Sequence, residues 1–506
     1  MTTSFSEHIG YDDDGDLAVD GAKCASLLQR FGSPLFVVSQ AQIVSNVSRF
    51  QRALRAGYPR SQILFATKAN NNLAVRCVFT GAGAGGDAFG AGELQITLAA
   101  GTPPEAIVLN GFNKQDPEVR LAIASGVPVN LDAPDELDQV VRLAREMGRV
   151  ARVGVRSRLL LYELDEVLGD WPAAGFDSSI STVGRNMRER DKFGVSPADF
   201  LPLCRAAHNE PAVELVGVHY HMGRELGDAN LWTTLIRDQC ELVGTVRDAI
   251  GWSPSYFDFG GGMTFGRPEG HGPLGVDRGK PTYEEYAEVI TSTFRSCMGE
   301  YDLGEPVLMI EPGRALSSNI AILVGTVQRR KEVPETGQTW LGVDICQNQM
   351  INILSGGFYY HPVPLAKRSG SPAEVVNIAD PQCWYGNLAF ACEIDRLEVG
   401  DQIAFLDTGA YCESMSTQFN ALPRPATVLV DGGDAELITE RETFDDVLRL
   451  ARVPARLMNS RVASQVEAKW IPAGEGSYRA SSDTAQSGFR AGVGASPMDG
   501  PVGGKG

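Results

Sequence analysis

A repeated alternation of short apolar runs and longer amphipathic segments dominates residues 36–312. Each β-branched run ends in a polar residue, a glycine or a proline, and an Ala-, Leu-, Arg- and Glu-rich stretch usually follows. This pattern is typical of strand–helix units around a parallel sheet. The strand ends lie at Lys68, Asp87, Asn110, Asp132, Arg156, His221, Gly260 and Pro312. Eight units over roughly 270 residues predict a (β/α)8 barrel, an α/β fold whose active site gathers at the C-terminal strand ends.

The pattern changes after Arg314 to short β-like runs without long helices, such as AILVGTVQRRKEV and ATVLVDGG. We therefore predict a second, all-β domain over residues 313–467, with the barrel over 36–312. An N-terminal segment, 1–35, carries the strand-like DLAVDG and is expected to join the β domain. Residues 468–506 are rich in Gly, Ser and Ala, which predicts a disordered tail.

Composition argues against several classes of partner. A net charge of −18 disfavours binding to nucleic acid or to an anionic membrane. No stretch approaches the ~20 apolar residues of a membrane span, and the N-terminus lacks the features of a signal peptide, so a cytoplasmic location is expected. The nine cysteines are scattered without a CxxC pair. They predict neither a disulfide framework nor a metal site.

Five short motifs carry the chemistry of the chain: FATKANNN, GVHYHMG, FDFGGGM, EPGRAL and, far downstream, DTGAY. In this order they resemble the fold-type III pyridoxal-phosphate (PLP) decarboxylases of diaminopimelate, ornithine and arginine, whose barrel relative is alanine racemase. The stretches SMSTQFNALPRPATVLVDGG and RETFDDVL resemble the diaminopimelate enzymes most. The resemblance covers roughly residues 10–455. It implies an alanine racemase-like (β/α)8 barrel plus a C-terminal all-β domain, PLP as cofactor, an amino-acid substrate and a homodimer with shared active sites.

The resemblance implies roles for four residues around the cofactor ring. Lys68 would hold PLP as a Schiff base, for which an amine at a barrel mouth is suited. Glu311 would keep the pyridine nitrogen protonated, which makes the ring a full electron sink. His221 would stack on the ring, and Asp87 would orient Lys68 or His221.

A glycine run after a strand is expected to bind the cofactor phosphate, because glycine lets backbone N–H groups approach closely. By resemblance, a cationic side chain and a tyrosine of the GAY triplet add further bonds. The predicted phosphate ligands are Gly260, Gly261, Gly262, Arg314 and Tyr411.

A cysteine is the proton donor in the family and reaches across the dimer interface. Cys383 and Cys392 both precede the GAY triplet. The stretch DPQCWYGNLAF fits the family pattern and its spacing to Gly409. The stretch ACEID at Cys392 lies too close to Gly409 for that spacing. Cys383 is therefore the predicted donor, a role that suits a thiol near a cationic cofactor site. Cys392 stays the alternative.

Three positions and one insertion depart from the family pattern around the substrate. Trp384 replaces an acid, Asn352 stands where diaminopimelate decarboxylases have an arginine, and Arg224 replaces a serine near the phosphate. The segment 159–190 is longer than its counterpart. These departures predict PLP-dependent α-decarboxylation of an amino acid with a non-standard side chain, as in secondary metabolism or siderophore biosynthesis. Diaminopimelate is the alternative substrate.

Two other functions stay open at this point. An amino-acid racemase or epimerase would use the same lysine, but Glu311 favours the deeper electron withdrawal of a decarboxylase. A catalytically silent regulator with a PLP fold would not need Lys68, Glu311 and Cys383 together.

Overall fold

A small antiparallel sheet and a helix open the described chain. The computed structural model describes residues 4–158, 192–221, 229–264, 281–353, 358–367, 370, 372–383 and 387–457. Its first elements are β1 (Ile9–Tyr11), β2 (Leu17–Val19), β3 (Ala22–Lys23), α1 (Cys24–Phe31) and β4 (Leu35–Ser39). The predicted strand near DLAVDG is β2, and its side chains Leu17 and Val19 share a core with Val324 and Val428 of the C-terminal half.

Eight parallel strands then close into a barrel in the order β5 to β12. They are β5 (Ser61–Ala66), β6 (Gly85–Phe89), β7 (Ile107–Asn110), β8 (Val129–Leu131), β9 (Ala151–Arg156), β10 (Val213–His219), β11 (Tyr256–Asp258) and β12 (Val307–Ile310). The helices described in this region are α2 (Gln40–Gly57), α3 (Leu73–Gly81), α4 (Ala91–Ala99), α5 (Asp116–Ser125), α6 (Glu136–Met147), α7 (Pro197–Asn209), α8 (Leu231–Ile250) and α9 (Tyr283–Glu300). Each predicted strand end lies within two residues of the C-terminal end of one of these strands. The predicted barrel is confirmed.

The barrel interior changes from apolar to polar along its axis. Leu64, Val108, Val216, Tyr256 and Met309 form one apolar cluster that is separate from the core between strands and helices. Alternate residues of a strand share a face, so the next inward positions are two residues further on. After Val108, Tyr256 and Met309 those positions hold Asn110, Asp258 and Glu311, all buried. The sequence thus places a polar layer directly above an apolar one.

A nine-stranded sheet follows the barrel and takes in β4. The strands and helices of this region are α10 (Arg314–Ser317), β13 (Ala321–Val333), β14 (Gln338–Val343), β15 (Pro362–Pro364), β16 (Ala373–Ala379), β17 (Asn387–Asp395), β18 (Gln402–Phe405), β19 (Ala426–Asp431), β20 (Asp434–Thr439) and α11 (Phe444–Leu448). The predicted C-terminal β domain is confirmed. β4 pairs antiparallel with β13 and parallel with β19, so the predicted barrel start at residue 36 falls inside a strand of this sheet.

Several predicted features lie outside the described residues. They are the insertion at 159–190, the tail at 468–506, and the side chains of Arg224 and Trp384. Within the described part of the chain, no helix has both the length and the apolar character that crossing a membrane requires.

Candidate active site

Lys68 and Asp87 meet at the C-terminal edge of the barrel. Lys68 lies in a single 3-10 turn, Thr67–Ala69, directly after β5, and Asp87 lies on the neighbouring β6. The Lys68 Nζ contacts Asp87 Oδ2, with the lysine side chain one-third exposed and the aspartate fully buried. Burial lowers the pKa of the Lys68 amine, but the carboxylates of Asp87 and Glu311 outweigh it, and the net pKa is raised. The amine is therefore charged and reachable from the barrel mouth.

Glu311 follows β12 and is buried beside two histidines. Its Oε1 accepts a hydrogen bond from Asn110 Nδ2 at 2.6 Å and lies 3.5 Å from His219 Nε2. Its Oε2 lies 3.6 Å from His221 Nδ1. Burial alone raises the pKa of Glu311, but His219, His221 and Lys68 outweigh burial and hold the pKa well below its usual range. The barrel mouth thus contains a buried carboxylate that stays anionic.

A glycine turn after β11 packs against His221. The Gly261 N–H donates to His221 Nδ1 at 3.1 Å, and burial is the main cause that lowers the pKa of His221. A Cβ on Gly260, whose φ is +65°, would lie 2.6 Å from His221 Nδ1. A Cβ on Gly261 would lie 2.5 Å from the Glu311 carbonyl oxygen. No side chain fits at either position, and Gly262 continues the turn with a φ of +104°.

Arg314 and Tyr411 lie next to each other. The Arg314 guanidinium carbon lies 3.8 Å from the Phe358 ring centroid and 5.0 Å from that of Tyr411. A Cβ on Gly313 would lie 3.1 Å from the Tyr411 hydroxyl. Two of the predicted phosphate ligands, Arg314 and Tyr411, are therefore neighbours in space.

The two candidate proton donors differ in accessibility. Cys383 is exposed, and its Sγ lies 3.5 Å from the side-chain amide of Asn420. Cys392 is buried in β17, and burial raises the pKa of its thiol to about 11. The structure does not bring either thiol into contact with Lys68, and Cys383 is the one that a second molecule can reach.

Asn352, a predicted substrate contact, is buried next to the GAY segment. Its Nδ2 donates to the Tyr411 carbonyl oxygen at 3.1 Å. The amide therefore supports the backbone of the GAY segment.

Sequence reasoning missed two residues at the barrel rim. The sequence predicts Asn110 only as a strand end, but its Nδ2 also donates to Asp87 Oδ1 at 2.8 Å and so links Asp87 to Glu311. Its position two residues after the inward Val108 is the signal that could have found it. Glu93 accepts from the Phe89 N–H at 2.8 Å, and burial, with Asp87 adding, raises its pKa to about 7.

This arrangement fits a PLP molecule. An accessible amine can form the covalent link, a buried anion can pair with a protonated ring nitrogen, and a glycine turn without room for a Cβ can approach a phosphate. Arg314 adds a cation next to Tyr411. Each part of the cofactor therefore has a chemically matched group.

Comparison with known proteins agrees with this chemistry. Residues 40–318 match the pyridoxal-binding domain of the pyridoxal-dependent decarboxylases. The diaminopimelate decarboxylase of Methanothermobacter thermautotrophicus is 33% identical over 451 residues, which cover 89% of this chain and 99% of that protein. That of Archaeoglobus fulgidus is 28% identical over 449 residues, or 88% and 99% of the two chains.

A solved structure extends the similarity to the fold. The diaminopimelate decarboxylase of Methanocaldococcus jannaschii in complex with L-lysine superposes with a TM-score of 0.80 at 29% identity. The match covers 90% of this chain and all of that one. These findings confirm the predicted cofactor and enzyme class. The chain belongs to the pyridoxal-dependent decarboxylases, which use PLP to remove a carboxylate from an amino acid.

Proposed function

We propose that the protein removes one carboxylate from diaminopimelate, which yields lysine and carbon dioxide, and that it does so as a homodimer with shared active sites. The relatives named above support this substrate over the non-standard one that the sequence departures predicted.

The observation that carries the proposal is the continuous set of contacts at the barrel mouth. It runs from Lys68 to Asp87, through Asn110 to Glu311, and on to His221 and Gly261. Such a set would put a covalent anchor, an anion and a phosphate-binding turn on one edge of the barrel. Bound PLP would supply an electron-withdrawing ring that stabilises the negative charge left when carbon dioxide departs.

The residues around the ring have distinct tasks. Asp87 holds the amine of Lys68 at the mouth. Glu311 stays anionic at neutral pH because of its neighbours, and so it can keep a proton on the pyridine nitrogen. His221 accepts the Gly261 N–H through Nδ1, which leaves its other nitrogen, Nε2, to donate.

The reaction needs one proton on the carbon that loses its carboxylate. We assign that proton to Cys383 of a second copy of the chain, since Cys383 is exposed whereas Cys392 is buried. A thiol can serve as a general acid near a cationic site. Every active site would then draw on both subunits, which makes the dimer a requirement for turnover.

A substrate panel tests this function. The PLP-loaded protein is incubated separately with meso-diaminopimelate, LL-diaminopimelate, ornithine, arginine and lysine, and carbon dioxide and amine products are followed by mass spectrometry. We expect one lysine and one carbon dioxide for each diaminopimelate consumed. Carbon dioxide from another amino acid alone would refute the substrate, and interconversion of diaminopimelate stereoisomers without carbon dioxide would identify an epimerase.

A further inference from the structure

We propose that Tyr256, Asn130 and Asn110 form a positioning chain through the barrel interior, which turns the Asn110 amide so that its NH2 group bridges Asp87 and Glu311. This positioning chain would hold Asp87, the partner of Lys68, and Glu311, the partner of the cofactor ring, at a fixed separation. This inference rests on the proposed roles of Lys68 and Glu311, but it does not depend on which amino acid is the substrate.

The geometry is a continuous series of short hydrogen bonds. The Tyr256 hydroxyl donates to Asn130 Oδ1 at 2.8 Å, and Asn130 Nδ2 donates to Asn110 Oδ1 at 2.8 Å. Asn110 Nδ2 then donates to Asp87 Oδ1 at 2.8 Å and to Glu311 Oε1 at 2.6 Å. All five side chains are at most 3% exposed, so water does not compete for these bonds.

The two carboxylates give the series its direction. Burial, followed by the charge of Asp258, raises the pKa of Tyr256 above its ordinary value. Tyr256 therefore keeps its phenol proton. Ionised Asp87 and Glu311 only accept, so Asn110 turns its NH2 group to them and its Oδ1 accepts from Asn130 Nδ2. Asn130 Oδ1 then faces the Tyr256 hydroxyl, which donates to it.

Steric packing keeps the chain in place. A Cβ on Gly154 of β9 would lie 2.1 Å from Asn130 Oδ1 and 2.5 Å from the Tyr256 hydroxyl. The glycine therefore gives the two polar groups the room to meet inside the barrel. A side chain at residue 154 would push the Asn130 Oδ1 and the Tyr256 hydroxyl apart.

The bridge acts on charge as well as on position. An N–H donor favours the ionised form of a carboxyl, and Asn110 donates once to each of two buried carboxyls. The other ionisable groups that face the pair are Lys68, Glu93, His219, His221 and Asp258. The variants below leave all of these unchanged, so a shift in pH dependence reports the bridge.

Tyr256→Phe tests the chain, with Tyr58→Phe as the matched control. Both changes delete one buried hydroxyl, because Tyr58 donates to the Pro306 carbonyl oxygen at 2.8 Å. PLP affinity is measured by absorbance titration of the apoprotein between pH 6 and pH 9, without substrate. We expect Tyr256→Phe to weaken PLP binding about three- to tenfold across this range, because the Asn110 amide is then no longer held towards the two carboxylates. Tyr58→Phe should leave PLP affinity unchanged.

Asn110→Asp gives a second and sharper signature. The new side chain can still accept from Asn130, but it faces Asp87 and Glu311 with an oxygen instead of a donor. We expect PLP to bind about tenfold more weakly at pH 8 and to recover as the pH falls, because a proton can then bridge the carboxyls. Asn377→Asp, at a buried asparagine in β16, controls for general damage.

The outcomes separate this inference from the proposed function. If Tyr256→Phe superimposes on Tyr58→Phe, and Asn110→Asp shows no reversal of pH dependence, the positioning chain is refuted even if diaminopimelate is the substrate. If diaminopimelate proves inert while both shifts in PLP affinity appear, the chain stands and the substrate is wrong.

Discussion

The backbone N–H of Tyr411 donates a hydrogen bond to the carbonyl oxygen of Ala69 at 2.7 Å, which joins the GAY segment to the residue directly after Lys68. Ser414 adds a second contact between the same segments, because its Oγ donates to the Lys68 carbonyl oxygen at 3.1 Å. The position of the amine is thus set by both halves of the chain.

The asparagine run after Lys68 makes the first prediction. Asn70 Nδ2 donates to the Gly409 carbonyl oxygen at 3.1 Å, and its Oδ1 accepts from the Asn72 N–H at 3.1 Å. Asn70→Ala should cost about 1–3 kcal/mol of stability and weaken PLP binding, as measured by thermal unfolding and cofactor titration. The adjacent, exposed Asn71 is the control. Equal stability and equal PLP affinity of Asn70→Ala and Asn71→Ala would show that Asn70 does not link the Lys68 loop to the GAY segment.

The glycine turn makes the second prediction. Gly261→Ala would place a Cβ 2.5 Å from the Glu311 carbonyl oxygen, and the turn must shift. We expect at least a roughly tenfold loss of PLP affinity, since phosphate ligands need close backbone approach. Gly299→Ala in α9 meets nothing within 4 Å and should leave cofactor affinity unchanged. Unchanged affinity in Gly261→Ala would mean that the phosphate binds elsewhere.

The cysteines make the third prediction. Cys383→Ala should lower kcat about 100-fold or more through loss of the proton donor, whereas Cys392→Ala should reduce stability by about 1 kcal/mol with kcat retained.

Mixed dimers test whether the proton donor comes from the second subunit. If sites are shared, equal mixing of Lys68→Ala and Cys383→Ala subunits should restore about a quarter of native activity, because half of the dimers then contain one intact site. No restoration after verified subunit exchange would show that the sites are not shared.

The pH dependence of stability makes the fourth prediction. Burial and Asp87 raise the pKa of Glu93 from 4.5 to about 7. Between these values the unfolded chain has lost the Glu93 proton and the folded protein retains it, so stability falls as pH rises. Glu93→Gln should remove about 2 kcal/mol of that loss, measured by urea unfolding of the apoprotein at pH 5 and pH 8. The exposed Glu105→Gln is the control. A loss as large in Glu93→Gln as in the wild type would refute this role.

Local patterns revealed the barrel, because each strand ends where apolar residues give way to polar ones. The same logic placed Lys68, Asp87, His221 and Glu311 at one edge, and the structure brings them together. Nothing local indicates that Leu35–Ser39 pairs with strands far along the chain. The domain boundaries at residues 36, 313 and 468 stay predictions.

The sequence also does not reveal which way a side chain faces. Asn352 and Asn110 are both asparagines near predicted motifs, but one bonds to a backbone carbonyl and the other bridges two carboxylates. A residue type in a motif does not say which way its amide faces. Three-dimensional neighbours decide that, and they come from strands distant in sequence.

The attachment site of PLP tests the central claim most directly. The PLP-loaded protein is reduced with borohydride and digested, and the peptide that carries the phosphopyridoxyl mass is sequenced by mass spectrometry. We predict that the label lies on Lys68 and that Lys68→Ala yields no labelled peptide. A label on another lysine, such as the buried Lys114 that bonds to Glu136, would contradict the assignment of the active site.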